Sequence, residues 1–131
     1  VLPKGADPRG HGVPPLPFIG LACSGAAEIL ARYRAAGFGA EPSRLLSNDT
    51  SIAAMVGRGM GYSILPELSI YPAPDDVAVL PLPIDSRREF AIAGLPDTMR
   101  SPAVKAVVRF LRDKRIAGRA RAHLGGITHW A

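Results

Sequence analysis

Ser47–Pro66, SNDTSIAAMVGRGMGYSILP, holds in order a polar turn, an amphipathic helix, a glycine stop and an apolar strand. Asn48 and Asp49 are residue types that cap helix N-termini with their side-chain oxygens. Ile52, Met55 and Val56 recur at i, i+3 and i+4, which places them on one helical face. Gly59 follows where a left-handed C-terminal cap is needed, so the spacing predicts a helix over 49–58. The apolar run Tyr62 to Leu65 then reads as a buried strand closed by Pro66.

Outward from this unit the same alternation continues. Pro17 to Leu21 reads as a short buried strand. Ser24 to Ala36 reads as a helix burying Ala26, Ile29, Leu30 and Tyr33, with Ser24 as its N-cap and Gly37 and Gly39 ending it. Arg44 to Ser47 reads as a second strand. Val77 to Leu82 and Glu89 to Ala93 read as two more, the first an edge or crossing strand because Pro81 cannot donate to a ladder. Residues 1–16 are rich in Pro and Gly and predict an extended segment. Strands alternating with helices at this spacing argue for an α/β fold with a parallel or mixed sheet covered by helices. There is no internal repeat.

Val56, Gly59, Gly61, Leu65 and Pro66, spaced V-x-x-G-x-G-x-x-x-L-P, resemble the second lobe of the effector-binding domain of LysR-type transcriptional regulators. Other pieces fall in the same register. Leu2-Pro3-Lys4-Gly5 resembles the strand by which such domains leave their first lobe, and Pro17-Phe18-Ile19 resembles the first strand of the second. Val79 to Pro83 with Arg87 resembles the return crossing, and Ser101-Pro102-Ala103 the start of the final helix. The resemblance covers residues 1–113. It implies a periplasmic-binding-protein-like (type II) lobe with a mixed, mostly parallel sheet flanked by helices, incomplete in this chain. The implied organisation is a crossing segment over 1–16, a lobe over 17–84, and a return strand and C-terminal helix over 85–116; beyond it, residues 117–131 read by themselves as a flexible basic tail.

A chain of 131 residues with 47% hydrophobic residues can bury one modest core and is too short for two full lobes. No secretory signal or membrane-spanning segment is visible, which favours the cytoplasm. The lone Cys23 excludes an internal disulfide and a multi-cysteine metal site. The net charge of +5 is unevenly placed: eight of sixteen basic residues lie from Arg100 to Arg121, where Asp113 is the only acid. On a helix starting at Ser101 with Pro102 at N1, Val104, Val107, Val108 and Leu111 form the stripe to be buried, flanked by Lys105, Arg109 and Arg112. Lys114 and Arg115 would fall back on that stripe, so the helix should end near Asp113. A solvated helix face and a loose basic tail are the simpler reading of these cations, against a phosphate-binding surface, because only Phe110 and Trp130 could stack on bases.

Other candidate chemistry has plainer explanations. A phosphate-cradling glycine loop follows a strand and opens a helix, whereas Gly57-Arg58-Gly59-Met60-Gly61 closes one. Cys23-Ser24 lacks the context of a nucleophile elbow, with Cys23 expected as a buried small residue; His11, His123 and His129 all fall in unpatterned terminal regions. Asp75-Asp76 after Pro72 and Pro74 reads as a solvated turn. Neither catalytic residues nor a metal or cofactor site is therefore expected.

In an α/β lobe, ligands settle beyond the carboxyl ends of strands, where helix N-termini present free N–H groups. The two strand-to-helix junctions supply the candidate binding residues Gly20, Leu21, Ser24, Asn48, Asp49 and Thr50. The resemblance implies that they line one wall of a cleft for a small organic effector such as a carboxylate. It further implies a homo-oligomer that reaches DNA only through a domain not contained in this chain. In such regulators the final helix packs on the first lobe; without it, the stripe on the Ser101 helix should either dock elsewhere or mediate self-association. A solute-binding lobe of a transport system is the alternative with the same architecture.

Overall fold

A computed structural model of the chain describes residues 1–6, 14–39, 41–87 and 91–123; the side chains of Ser24, Ala120, Arg121 and His123 lie outside the described set. The chain divides into two units, Val1–Arg87 and Arg88–Ala131.

The first unit contains β1 (Leu2–Pro3), β2 (Phe18–Leu21), α1 (Ser24–Ala35), β3 (Pro42–Leu46), α2 (Asp49–Gly57), a 3-10 turn (Glu67–Ile70) and β4 (Val77–Ala78). Strands β2 and β3 are parallel, and β1 and β4 antiparallel. Residues Tyr62 and Ser63 join the two pairs. The Ile19 N–H donates to the Tyr62 carbonyl at 2.8 Å, and Val1 and Ser63 exchange bonds of 2.7 and 3.0 Å.

Period-two alternation sorts side chains onto the two faces of this sheet. Leu2, Phe18 and Tyr62 cluster with Tyr33 of α1, whereas Ile19 and Val77 cluster with Ile52 and Val56 of α2. Successive residues Phe18 and Ile19 thus point to opposite helices. Helices thus cover β2 on both faces, whereas β3 leaves Ser43, Arg44 and Leu45 exposed. Ile52 and Val56 are fully shielded from solvent. Each contributes about 1.5–3 kcal/mol through burial.

Both helices stop by the same device. After α2 the Gly59 N–H bonds the Val56 carbonyl and the Met60 N–H reaches back to Met55; after α1 the Gly37 N–H bonds Arg34 and the Phe38 N–H reaches Tyr33. This Schellman arrangement needs a left-handed residue at its turn, and Gly59 supplies φ +74°. Gly61 is required for a different reason: a Cβ there would collide with the Pro17 carbonyl oxygen, where the chain passes close to β2.

Several elements depart from the expected ones. Tyr62 to Leu65 is not a full strand but makes an isolated parallel bridge, Phe18 to Tyr62. Ser63 Oγ donates to the Ile19 carbonyl at 2.7 Å. That acceptor would take a backbone N–H in a continuing parallel ladder, so the side chain ends the strand. Strand β3 starts two residues earlier than expected, at Pro42. β4 is confined to Val77–Ala78, before Pro81 and Pro83. Of the strand expected over 89–93, residues 89 and 90 lie outside the described residues, and 91–93 are unpaired.

The second unit contains α3 (Pro96–Arg100), α4 (Pro102–Leu111) and α5 (Lys114–His123). Pro96 and Pro102 sit in the first turns of α3 and α4, where a missing N–H costs nothing. The stripe on α4 forms as the spacing predicts but is not buried. Val104 and Val108 are half-buried, while Val107 is 58% and Leu111 39% exposed. Helix α5 runs on from Lys114 through the first residues of the loose tail expected over 117–131, as far as His123; residues 124–131 lie outside the described residues. The cause is Asp113. Its Oδ1 accepts the Arg115 N–H at 2.8 Å and its carbonyl accepts the Ala117 N–H at 2.9 Å, so a new helix is capped where the old one stops.

Candidate functional site

The parallel register pairs Leu21 with Leu46, and the Ala22 N–H donates to the Leu46 carbonyl at 2.8 Å. The carboxyl ends of β2 and β3 are therefore level. Helix α1 begins at Ser24 and α2 at Asp49, so two helix N-termini open at one edge of the pair. The N–H groups of Ser24, Gly25, Asp49 and Thr50 precede the first intrahelical donors, Ala27 to the Cys23 carbonyl and Ile52 to the Asn48 carbonyl.

The caps divide this edge chemically. Asn48 Oδ1 accepts the Ser51 N–H at 2.8 Å and is the N-cap of α2, as its residue type predicts. At α1 the N-cap is Cys23, whose Sγ accepts the Ala26 N–H at 3.4 Å; Ser24 is the first helical residue. Cys23 is also exposed rather than buried. Serine outranks cysteine as a cap on residue type, and only the backbone angles reveal that the helix starts one residue earlier than that ranking implies. The first turn of α2 carries Asp49, whereas that of α1 carries no acid. A bound anion is thus favoured at α1 and opposed at α2 by a carboxylate on the same helix end.

The predicted residues do not all reach this edge. Gly20 is a buried interior residue of β2, and a Cβ there would lie 2.7 Å from Leu45 Cδ2 of β3. Leu21 ends the strand and packs toward Ile19, Ile52 and Val56. The Ser24 side chain lies outside the described residues; its backbone opens α1. Asn48 and Thr50 are exposed and Asp49 is half-buried, all in the first turn of α2 or its cap. The structure therefore brings Ser24, Asn48, Asp49 and Thr50 to one edge, while Gly20 and Leu21 form the floor behind it. Among the described residues no three His, Cys, Asp or Glu side chains group as metal ligands, and no helix is long and apolar enough to cross a membrane.

Comparison with known proteins bears on this arrangement. The family described as LysR substrate binding domain matches residues 14–115, from the segment before β2 into the start of α5. The chain belongs to that family. Within it, both strand-to-helix junctions and the glycine stop of α2 fall inside the matched range. The probable HTH-type transcriptional regulator LrrA of Synechococcus elongatus is 37% identical over 68 residues, which cover 52% of this chain and 23% of that protein. This LysR-family chain therefore matches less than a quarter of that relative's length. No solved structure matches it.

Proposed function

We propose that this LysR-family chain is the effector-sensing part of a transcriptional regulator, holding a small organic anion at the carboxyl ends of β2 and β3. The observation that carries the reading is the pair of level junctions within a matched substrate-binding domain. The anion's carboxylate sits at the N–H groups of Ser24 and Gly25, where no acid opposes it. Thr50 and Asn48 supply hydroxyl and amide groups to the rest of the ligand, Asp49 selects a donor there, and Gly20 and Leu21 shape the floor.

The finer architecture belongs to the same proposal. Residues 17–84 form one lobe of periplasmic-binding-protein type, entered through 1–16. This division is supported by the boundary of the two units at Arg87, three residues beyond Ile84. Effector binding shifts the population of arrangements of a homo-oligomer in the cytoplasm, and DNA is contacted through a helix-turn-helix outside these residues. The similarity to LrrA, an HTH-type regulator, motivates that last step. No residue is assigned a catalytic role. The family match favours this reading over a transport solute-binding lobe.

The test is amide chemical-shift mapping of the isotope-labelled chain against a panel of small carboxylates. Saturable shifts confined to Ser24, Gly25, Asp49 and Thr50 are expected for at least one of them. Shifts centred elsewhere would reject the site.

A further inference from the structure

We propose that α4 and α5 form a sequence-independent contact surface for the phosphate backbone of double-stranded nucleic acid. Lys105, Arg109 and Arg112 recur at i, i+4 and i+7, forming a cationic stripe about 10 Å long at the helical rise. Helix α5 adds Lys114, Arg115 and Arg119, and all six side chains are exposed. Asp113 is the only acid from Ser101 to His123, and it is already held by Arg115 at 3.2 Å. Lys105, Arg109, Arg112 and Lys114 have neither a hydrogen-bonded nor an ion-pair partner among the described residues, and Arg119 is only attracted by Asp113 without a bond to it.

The ordering of α5 changes the weight of these charges. Cations on a loose tail present no fixed pattern, whereas here Asp113 caps α5 and fixes the second set two residues beyond the first. The set is mostly arginine, whose planar fork matches phosphate oxygens. Phe110 is the only aromatic residue from Ser101 to His123, so there is no stacking ladder for unpaired bases, and a duplex backbone is the better match. The aliphatic stripe of Val104, Val107, Val108 and Leu111 lies to one side of the cations and takes no part.

The experiment is fluorescence anisotropy of a labelled random-sequence duplex of about twenty base pairs with the full chain. For about four phosphate contacts, affinity falls about a hundredfold between about 50 and 200 mM salt. The triple variant Lys105→Gln/Arg109→Gln/Arg112→Gln should lose most of that salt dependence. The charge-matched control Lys4→Gln/Arg44→Gln/Arg58→Gln, in the other unit, should keep it; circular dichroism checks that both fold. No binding at low salt, equal losses in both variants, or displacement by poly-glutamate as efficient as by unlabelled duplex would each overturn the proposal. The last would mark the surface as one for acidic proteins.

Discussion

The ring of Phe38 stacks on that of Tyr33, with centroids 4.9 Å apart and planes 21° from parallel, while the Phe38 N–H bonds the Tyr33 carbonyl at 3.2 Å. One residue pair thus seals α1 twice, by its backbone and by its rings. Phe38→Ala removes the ring and leaves the backbone bond. Because Phe38 is only half-buried, the expected loss is about 1–3 kcal/mol, below the range for fully buried phenylalanines. The midpoint of urea unfolding measures it.

Two glycines of the α2 stop should respond differently to alanine. At Gly59 the space around a Cβ is open and the cost is that of a left-handed backbone alone, about 1–2 kcal/mol. At Gly61 the Cβ meets the fixed carbonyl of Pro17, which cannot swing aside. Gly61→Ala should therefore unfold the chain at lower denaturant than Gly59→Ala, and equal midpoints would contradict the close approach.

Asn48 and Asp49 have separable roles. Asn48→Ala removes the α2 cap and should cost about 1 kcal/mol of stability. Asp49→Asn removes the charge opposing an anion, and titration with acetate should show tighter binding by a few-fold at low ionic strength. Weaker binding by this variant would place Asp49 among the ligand's attractive contacts instead.

In a polypeptide whose Val1 carries a free α-amine, burial lowers that amine from 8.0 to about 6. It nevertheless donates to the Ser63 carbonyl at 2.7 Å. Between these values the unfolded chain binds the proton and the folded one does not, so stability rises with pH across the window. The contribution is complete above pH 8 and lost as the pH falls toward 6. The full span is about 2–3 kcal/mol, as an upper bound. Acetylating the amine should flatten the profile of unfolding midpoint against pH.

Asp113 carries the start of α5. Its carboxyl is held below the usual range, first by the Arg115 side chain and then by backbone N–H groups of Arg115 and Ile116. A depressed acid stabilises in its ionised form, so the cap is present at neutral pH and weakens as pH falls through the depressed value. Asp113→Ala should lower helicity measured at 222 nm, and the residual signal should lose its acid dependence.

The legible part of this fold is what neighbours in sequence decide. The α2 helix, its Asn48 cap and its Gly59 stop could be read because each depends on residues a few positions apart. The strand expected at Tyr62 to Leu65 failed because a serine hydroxyl took a carbonyl more than forty positions away, which no local pattern encodes. Helix α5 was missed because Asp113, in reading as the end of one helix, concealed its role as the cap of the next. The apolar stripe on α4 was legible as a pattern, but its exposure was not, since periodicity names a face without naming what covers it. At the candidate site both junctions could be found singly; their side-by-side placement depends on the parallel pairing of β2 with β3.

Val1, just ahead of β1, is hydrogen-bonded to Ser63, and β1 itself pairs with Val77–Ala78. These residues are synthesised before their partners, which emerge some sixty to seventy-five residues later. Until then β2, α1, β3 and α2 can assemble locally while β1 waits without a ladder. Completing the sheet is thus a late, long-range closure of the kind that slows folding. During synthesis the nascent chain would be most exposed to mispairing just before Ala78 clears the exit tunnel.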